Sequence, residues 1–209
     1  MKHRISHDTR ATHIDWEHPG VSACMIDWFW SNLEKGFILW HPEEHEPLEW
    51  VIAPKQGDIL GAIHNAPQTW SDGRRRDLFI RYERLEELPS LVSEYIEYEH
   101  VVAGLGLERG CLAQPDPMGY RIHQWRSEGG GVIGRSSAIG TRMKEDEAAG
   151  KVWAAHCAQE IGNWAAFLPQ LHTLYEVVKD PRRNPFADLS VAGRGAAARY
   201  RFMSASPSL

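Results

Sequence analysis

In Ala154-Ala155-His156-Cys157-Ala158-Gln159-Glu160 an imidazole and a carboxylate stand four residues apart. On a helix that spacing puts both side chains on one face, a turn apart. They form there either a simple ion pair or two ligands of one cation. Zinc held by two imidazoles and one carboxylate, with water in the fourth position, is a known catalytic arrangement, so the pair would need a second His from elsewhere. The stretch Phe37-Ile38-Leu39-Trp40-His41-Pro42-Glu43-Glu44-His45 offers two imidazoles around a rigid Pro, beside an aromatic wall. His45 reads there as a ligand or as a capping side chain.

Eleven His and nine Trp in 209 residues exceed what a plain core requires, and five of the Trp fall early, at 28, 30, 40, 50 and 70. Aromatic walls with imidazoles suit a cavity that grips a flat, phenol-like ligand; a Trp-rich core with surface His would give the same counts. A net charge of -5 argues against nucleic acid as partner. The basic run Arg74-Arg75-Arg76 reads as a solvated hairpin edge. No apolar run is long enough to cross a membrane, and the polar start Met1-Lys2-His3-Arg4 lacks a signal-peptide pattern, so a cytoplasmic protein is expected. Cys24, Cys111 and Cys157 are odd in number with no C-x-x-C, which predicts reduced, semi-buried thiols and neither disulfides nor a thiolate zinc site.

These residues need elements to position them. The first twenty residues predict a lead-in loop or strand edge. Apolar spacings of three and four from Val21 to Leu33 predict a helix that ends at Gly36. Short strands follow over residues 48–53, 59–64, 77–84, 94–103 and 119–125, with Pro54 to Asp58 as a turn. Gly129-Gly130-Gly131 predicts a hairpin into a strand over 132–139. From Lys144 to Lys179 the pattern is one long helix, with Asp146 and Glu147 at its positive end and a kink expected at Pro169. The result is an α+β helix-grip arrangement, a curved antiparallel sheet wrapped around a long C-terminal helix with a cavity at its centre. Residues 1–180 make one domain; 181–209 form a tail expected to be partly extended or disordered, or to wrap the surface.

The segments MIDWFW, FILWHPEEH and HCAQEIGNWAAFLPQL resemble motifs of the 2,4-diacetylphloroglucinol hydrolase family, which includes phloretin hydrolase. The likeness spans roughly residues 17–178. The resemblance implies a helix-grip (Bet v 1-like) catalytic domain with zinc held by two His and two Glu. By motif, His45 takes the first ligand position, and His156 and Glu160 take the helical two. The second Glu is replaced by Gln68, with His64 on the same strand as the competing candidate. Phe37, Leu48 and Ala138 fall where the family places phenol-binding groups, so fewer side chains can hydrogen-bond ring hydroxyls. His123 falls at the family's pocket His and is the expected general acid or base. Trp28, with Trp30 and Trp40, is expected to shape the pocket. The residues ahead of His45 are too few for the family's dimerisation domain, so a homodimer would need other surfaces.

What the resemblance implies is hydrolysis of the carbon-carbon bond between an acyl group and a phenolic ring, with a small phenolic ketone as substrate. Two other readings stay open. One is another metal-dependent conversion of an aromatic polyketide-like molecule, a cyclase, decarboxylase or esterase, favoured by Gln in place of a carboxylate. The other is a metal-free carrier of hydrophobic ligands.

Overall fold

The computed structural model describes residues 1–55, 58–107, 109, 112, 118–140, 146–180, 182–187, 190–192 and 199–201. Cys111 and the expected helix start at Lys144 lie outside them. Of the other thiols, Cys157 is fully buried and Cys24 is exposed.

Eight strands form one antiparallel sheet: β1 (Lys2–His7), β2 (Ala11–His18), β3 (Glu49–Ile52), β4 (Ile63–Thr69), β5 (Arg75–Tyr82), β6 (His100–Leu107), β7 (Gly119–Glu128) and β8 (Gly131–Ile139). Their order is β1-β2-β8-β7-β6-β5-β4-β3. The first twenty residues are thus a hairpin whose outer strand is fully exposed. Gly129 and Gly130 sit at φ 54° and 83°, the left-handed values that the β7–β8 turn requires. Two expected strands shift. The segment from Ile59 to Gly61 turns, and the strand begins only at Ile63. Residues 94–99 belong to the turn after a short helix α3 (Ser90–Ser93), so β6 starts at His100. Both shifts come from apolar runs whose periodicity does not mark where pairing begins.

Between β2 and β3 lie α1 (Ala23–Ser31) and α2 (Leu33–Trp40), where one helix was expected. The break is at Asn32. Its amide donates to Trp28 O and Ala187 O, both at 3.1 Å, and accepts from Ala187 N at 2.7 Å. Gly36 does not end a helix. It lies inside α2, where a Cβ would come 2.7 Å from Phe29 and 3.0 Å from Phe167, so glycine serves close packing there. Helix α4 (Glu147–Val177) is capped by Asp146, which accepts from Ala148 N at 3.0 Å, and it runs on through Pro169.

Side chains alternate across the strands and are buried on both faces at the sheet's centre. One face of β6 and β7 (Val101, Ala103, Leu105, Tyr120, Ile122) packs under Leu88, Val92 and Tyr95. The opposite face holds Val102, Arg121, His123 and Trp125, and turns toward α1, α2 and α4. The main core lies there, with Trp164 of α4 stacked on Trp40 and edge-on to Trp16. Beyond α4 the chain turns back, and Phe186 packs on Trp28 and Tyr175. Strands β9 (Ser190–Ala192) and β10 (Arg199–Arg201) pair with each other. No described helix is long and apolar enough to cross a membrane.

Candidate metal centre and its aromatic cavity

His156 and Glu160 project from the middle of α4 toward His45, at the end of the turn that follows α2. His45 Nε2 lies 3.3 Å from His156 Nε2 and 3.2 Å from Glu160 Oε1, and His156 Nε2 is 3.3 Å from the same oxygen. Three donor atoms from two distant segments therefore form a nearly equilateral triangle. All three residues are buried.

The far nitrogen of each ring is fixed. His45 Nδ1 is 2.7 Å from Phe37 O, which can only accept, so Nδ1 carries the proton and Nε2 keeps its lone pair. His156 Nδ1 is 2.6 Å from Glu44 Oε2, which sets the same tautomer. Glu44 is in turn placed by His41: Nδ1 of His41 accepts from Glu44 N at 3.2 Å, and its ring stacks on His156 at 4.7 Å. Carboxylate or carbonyl partners behind each imidazole are what orient metal-binding histidines. Two lone pairs and a carboxylate oxygen then face one another, which is repulsive unless a cation or a proton lies between them. Tetrahedral ligands about 2.0–2.1 Å from zinc are separated by about 3.3 Å, the size of this triangle. The donor set fits such an ion.

Charge follows the same geometry. Burial opposes a proton on His156, yet Glu160 and Glu44 on either side raise its pKa. Burial likewise opposes ionisation of Glu160, but His156 and His45 hold its carboxyl well below the usual range.

Gln68, the expected fourth ligand, lines the cavity, and its backbone bridges that of His45. Its amide oxygen accepts from the Trp70 indole N–H and its amide nitrogen donates to Ala66 O at 3.2 Å. Coordination would therefore use the oxygen's second lone pair. The Trp70 ring stacks on His156 at 5.0 Å and is covered by the Arg76 guanidinium at 4.1 Å. Arg74-Arg75-Arg76 is indeed the β4–β5 hairpin edge: Arg76 pairs with Asp72, and Arg75 with Glu46 and Asp77.

His156 and Glu160 line a cavity walled by Trp30, Phe37, Trp40, Trp70 and Tyr82, and His45 backs that wall through its stack on Phe37. Rings form a closed collar that starts and ends at His45. His45 stacks on Phe37 (4.0 Å); Phe37 meets His64 (6.4 Å) and His64 meets Tyr82 (5.4 Å). Tyr82 meets Trp30 (6.4 Å), Trp30 meets His123 (5.2 Å), and His123 meets Trp40 (6.2 Å), which returns to His45 (5.9 Å).

Phe37, His64, Gln68 and His123 therefore stand in the cavity wall as expected. His123 Nδ1 is held 2.9 Å from Ser136 Oγ, which also accepts from Trp16 Nε1, so Nε2 is the nitrogen left for the cavity. Burial pushes His123 down to about 4 and His64 down to about 3, so both rings are neutral near pH 7.

Three expected pocket residues are elsewhere. Trp28 lies among His172, Tyr175 and Phe186 beside the C-terminal half of α4. Residues two apart on a helix point about 200° apart, so of Trp28 and Trp30 only the latter can face the cavity. Ala138 is fully buried in the core as cross-strand neighbour of Arg121, and Leu48 is half-buried at the core's margin; neither lines the cavity. Motif reading missed Glu44 and Tyr82. Tyr82 had a signal in the alternation of Leu78, Ile80 and Tyr82 on β5. Glu44 stood beside His45 with nothing to separate it from Glu43.

No protein-family model matches the sequence, and no curated protein sequence matches it. Among solved structures, the chain is similar to protein Ms6760 from Mycobacterium smegmatis, at 16% identity and TM-score 0.52, covering 81% of this chain and 98% of that one. It is also similar to ginseng major latex-like protein 151 from Panax ginseng, at 9% identity and TM-score 0.52, with 75% and 95% covered. Ara h 8.0201 matches at 8% identity and TM-score 0.51, with 77% and 97% covered. Likeness at such low identity carries the fold, and it places the chain in the helix-grip, Bet v 1-like class.

Proposed function

We propose that the protein is a metal-dependent hydrolase that cleaves the bond between an acyl carbon and a phenolic ring, with zinc held by His45, His156 and Glu160. One observation carries this reading: three donor atoms converge within 3.2–3.3 Å of one another beside an aromatic cavity that His156 and Glu160 line. The motif resemblance to the diacetylphloroglucinol hydrolases supplies the choice of reaction. When bound, zinc would polarise the acyl carbonyl and acidify a water.

The remaining chemistry falls to the chain's own residues. Water adds its oxygen to the acyl carbon, the carbon-carbon bond breaks, and the ring carbon takes a proton, giving an arene and a carboxylic acid. His123 faces the cavity through Nε2. Burial keeps its ring neutral, so it would first take a proton from the attacking water and then hand that proton to the ring carbon. Glu44 and the Phe37 carbonyl hold the two imidazoles in the tautomers that ligation needs, while Trp30, Trp40 and Phe37 hold a flat ring and exclude water.

His156→Ala should abolish both stoichiometric zinc, read by elemental analysis, and turnover of acylphloroglucinols. Full activity in the metal-free variant rules the mechanism out. Two observations favour other readings. Gln68 gives one negative charge fewer than a carboxylate would, which favours another metal-dependent conversion of an aromatic polyketide-like substrate; product analysis with aromatic esters beside acylphloroglucinols separates the two. The apolar character of the cavity favours a metal-free carrier, in which purified protein would hold no stoichiometric metal.

A further inference from the structure

Four buried polar atoms of cavity-lining residues have no hydrogen-bond partner among the described residues, the Trp30 and Trp40 indole nitrogens and, on two adjacent rings, the Tyr82 hydroxyl and His64 Nδ1. Tyr82 and His64 are each only 3% exposed. Buried polar atoms are ordinarily paired, so two on one wall, with rings 5.4 Å apart, mark a place where something else supplies the partner. The metal triangle does not use them. Around the collar, Phe37 and the Trp30–His123–Trp40 run separate the pair from His45 on either side. Trp30 Nε1, also unpartnered, belongs to the ring next to Tyr82.

We propose that His64 and Tyr82 form a second polar pole of the cavity, which binds a ring hydroxyl of an aryl ketone whose acyl oxygen is directed at the His45, His156 and Glu160 triangle. This rests on the aryl-ketone reading above and names the substrate more narrowly: a hydroxylated ring with its hydroxyl remote from the acyl group. A hydroxyl suits the pair because it donates and accepts at once, so it can serve the phenol and the imidazole nitrogen in either tautomer. A carboxylate would enter a wall that already holds the buried Glu160 charge.

The test uses zinc-loaded protein with acetophenone and its 2-, 3- and 4-hydroxy derivatives, binding being read by quenching of Trp fluorescence. The wild type should bind the 3- or 4-hydroxy compound about 10-fold more tightly than acetophenone. Tyr82→Phe should remove that preference while leaving acetophenone binding and the melting temperature unchanged, because the lost hydroxyl holds nothing in the protein. An equal loss for all four ketones, no loss for any, or binding of none of them overturns the proposal. Selective binding without hydrolysis of any acyl-arene supports the pole and sinks the hydrolase reading. Hydrolysis with no hydroxyl preference sinks the pole alone.

Discussion

Glu44 Oε2 lies 2.6 Å from His156 Nδ1, so the imidazole that faces Glu160 on one side is gripped by a second carboxylate on the other. The ring is thereby oriented before any ion arrives. His41, stacked on the same imidazole and bonded to the Glu44 backbone N–H, completes a support built wholly from the turn between α2 and His45.

Glu44→Gln tests that support. The amide keeps the shape but weakens the hold on Nδ1 and makes Nε2 a poorer donor. Zinc affinity, measured by competition with a chromophoric chelator, should fall about 10–100-fold. The melting temperature of the metal-free protein should move far less than that. An unchanged zinc affinity would mean that Glu44 is only a surface-side partner.

Gln68→Glu adds a carboxylate beside His45. With zinc bound it gives a further anionic ligand, and affinity should rise by about 10-fold or more. Without zinc the same charge is buried near Glu160, and metal-free stability should drop by about 1–3 kcal/mol. The two measurements should therefore move in opposite directions. A loss of stability with no gain in zinc binding would show that position 68 lies outside the coordination sphere.

Trp28 and Trp30 separate core from cavity. Both are buried, yet only Trp30 joins the collar. Each change to Ala should cost about 3–5 kcal/mol in urea unfolding. Trp30→Ala should also weaken binding of aromatic ketones, whereas Trp28→Ala should leave ligand and zinc affinity near wild type. Equal loss of ligand binding in both would contradict the placement of Trp28 under α4.

Much of this arrangement was legible in the residues. The H-x-x-x-E spacing on a long helical pattern and the His after an aromatic run identified three groups that the fold brings together. The alternation of Leu78, Ile80 and Tyr82 identified a strand face. What spacing does not encode is which of two adjacent groups turns inward. Glu43 and Glu44, or Trp28 and Trp30, differ only in where α1 and α2 pack on α4, and that is settled by Asn32 breaking the helix and by Gly36 letting Phe29 and Phe167 approach. Likewise β4 and β6 begin where pairing with β5 and β7 becomes available, a property of the partner strands and not of the apolar run itself.

Acid should expose the cost of keeping imidazoles uncharged. Burial lowers His64 to about 3 and His123 to about 4 from the ordinary 6.5. The unfolded chain takes up both protons as pH falls through 6.5, while the folded protein does not until far lower pH. Stability present above that value is therefore lost on acidification, by about 1.4 kcal/mol per pH unit for each ring. His156 runs the other way in the metal-free protein: its raised pKa adds stability below 6.5, which disappears as pH rises through the folded value. Zinc competes for the same nitrogen, so its affinity should also weaken as pH falls. Urea unfolding of chelator-treated protein at pH 7.5, 6 and 5 separates the contributions. His123→Gln should flatten the acid loss by about one ring's share, and His156→Gln should steepen it. An acid profile indifferent to His123 would show that the fold does not lower its pKa, and would contradict a ring kept neutral in the cavity until it takes up the proton it delivers.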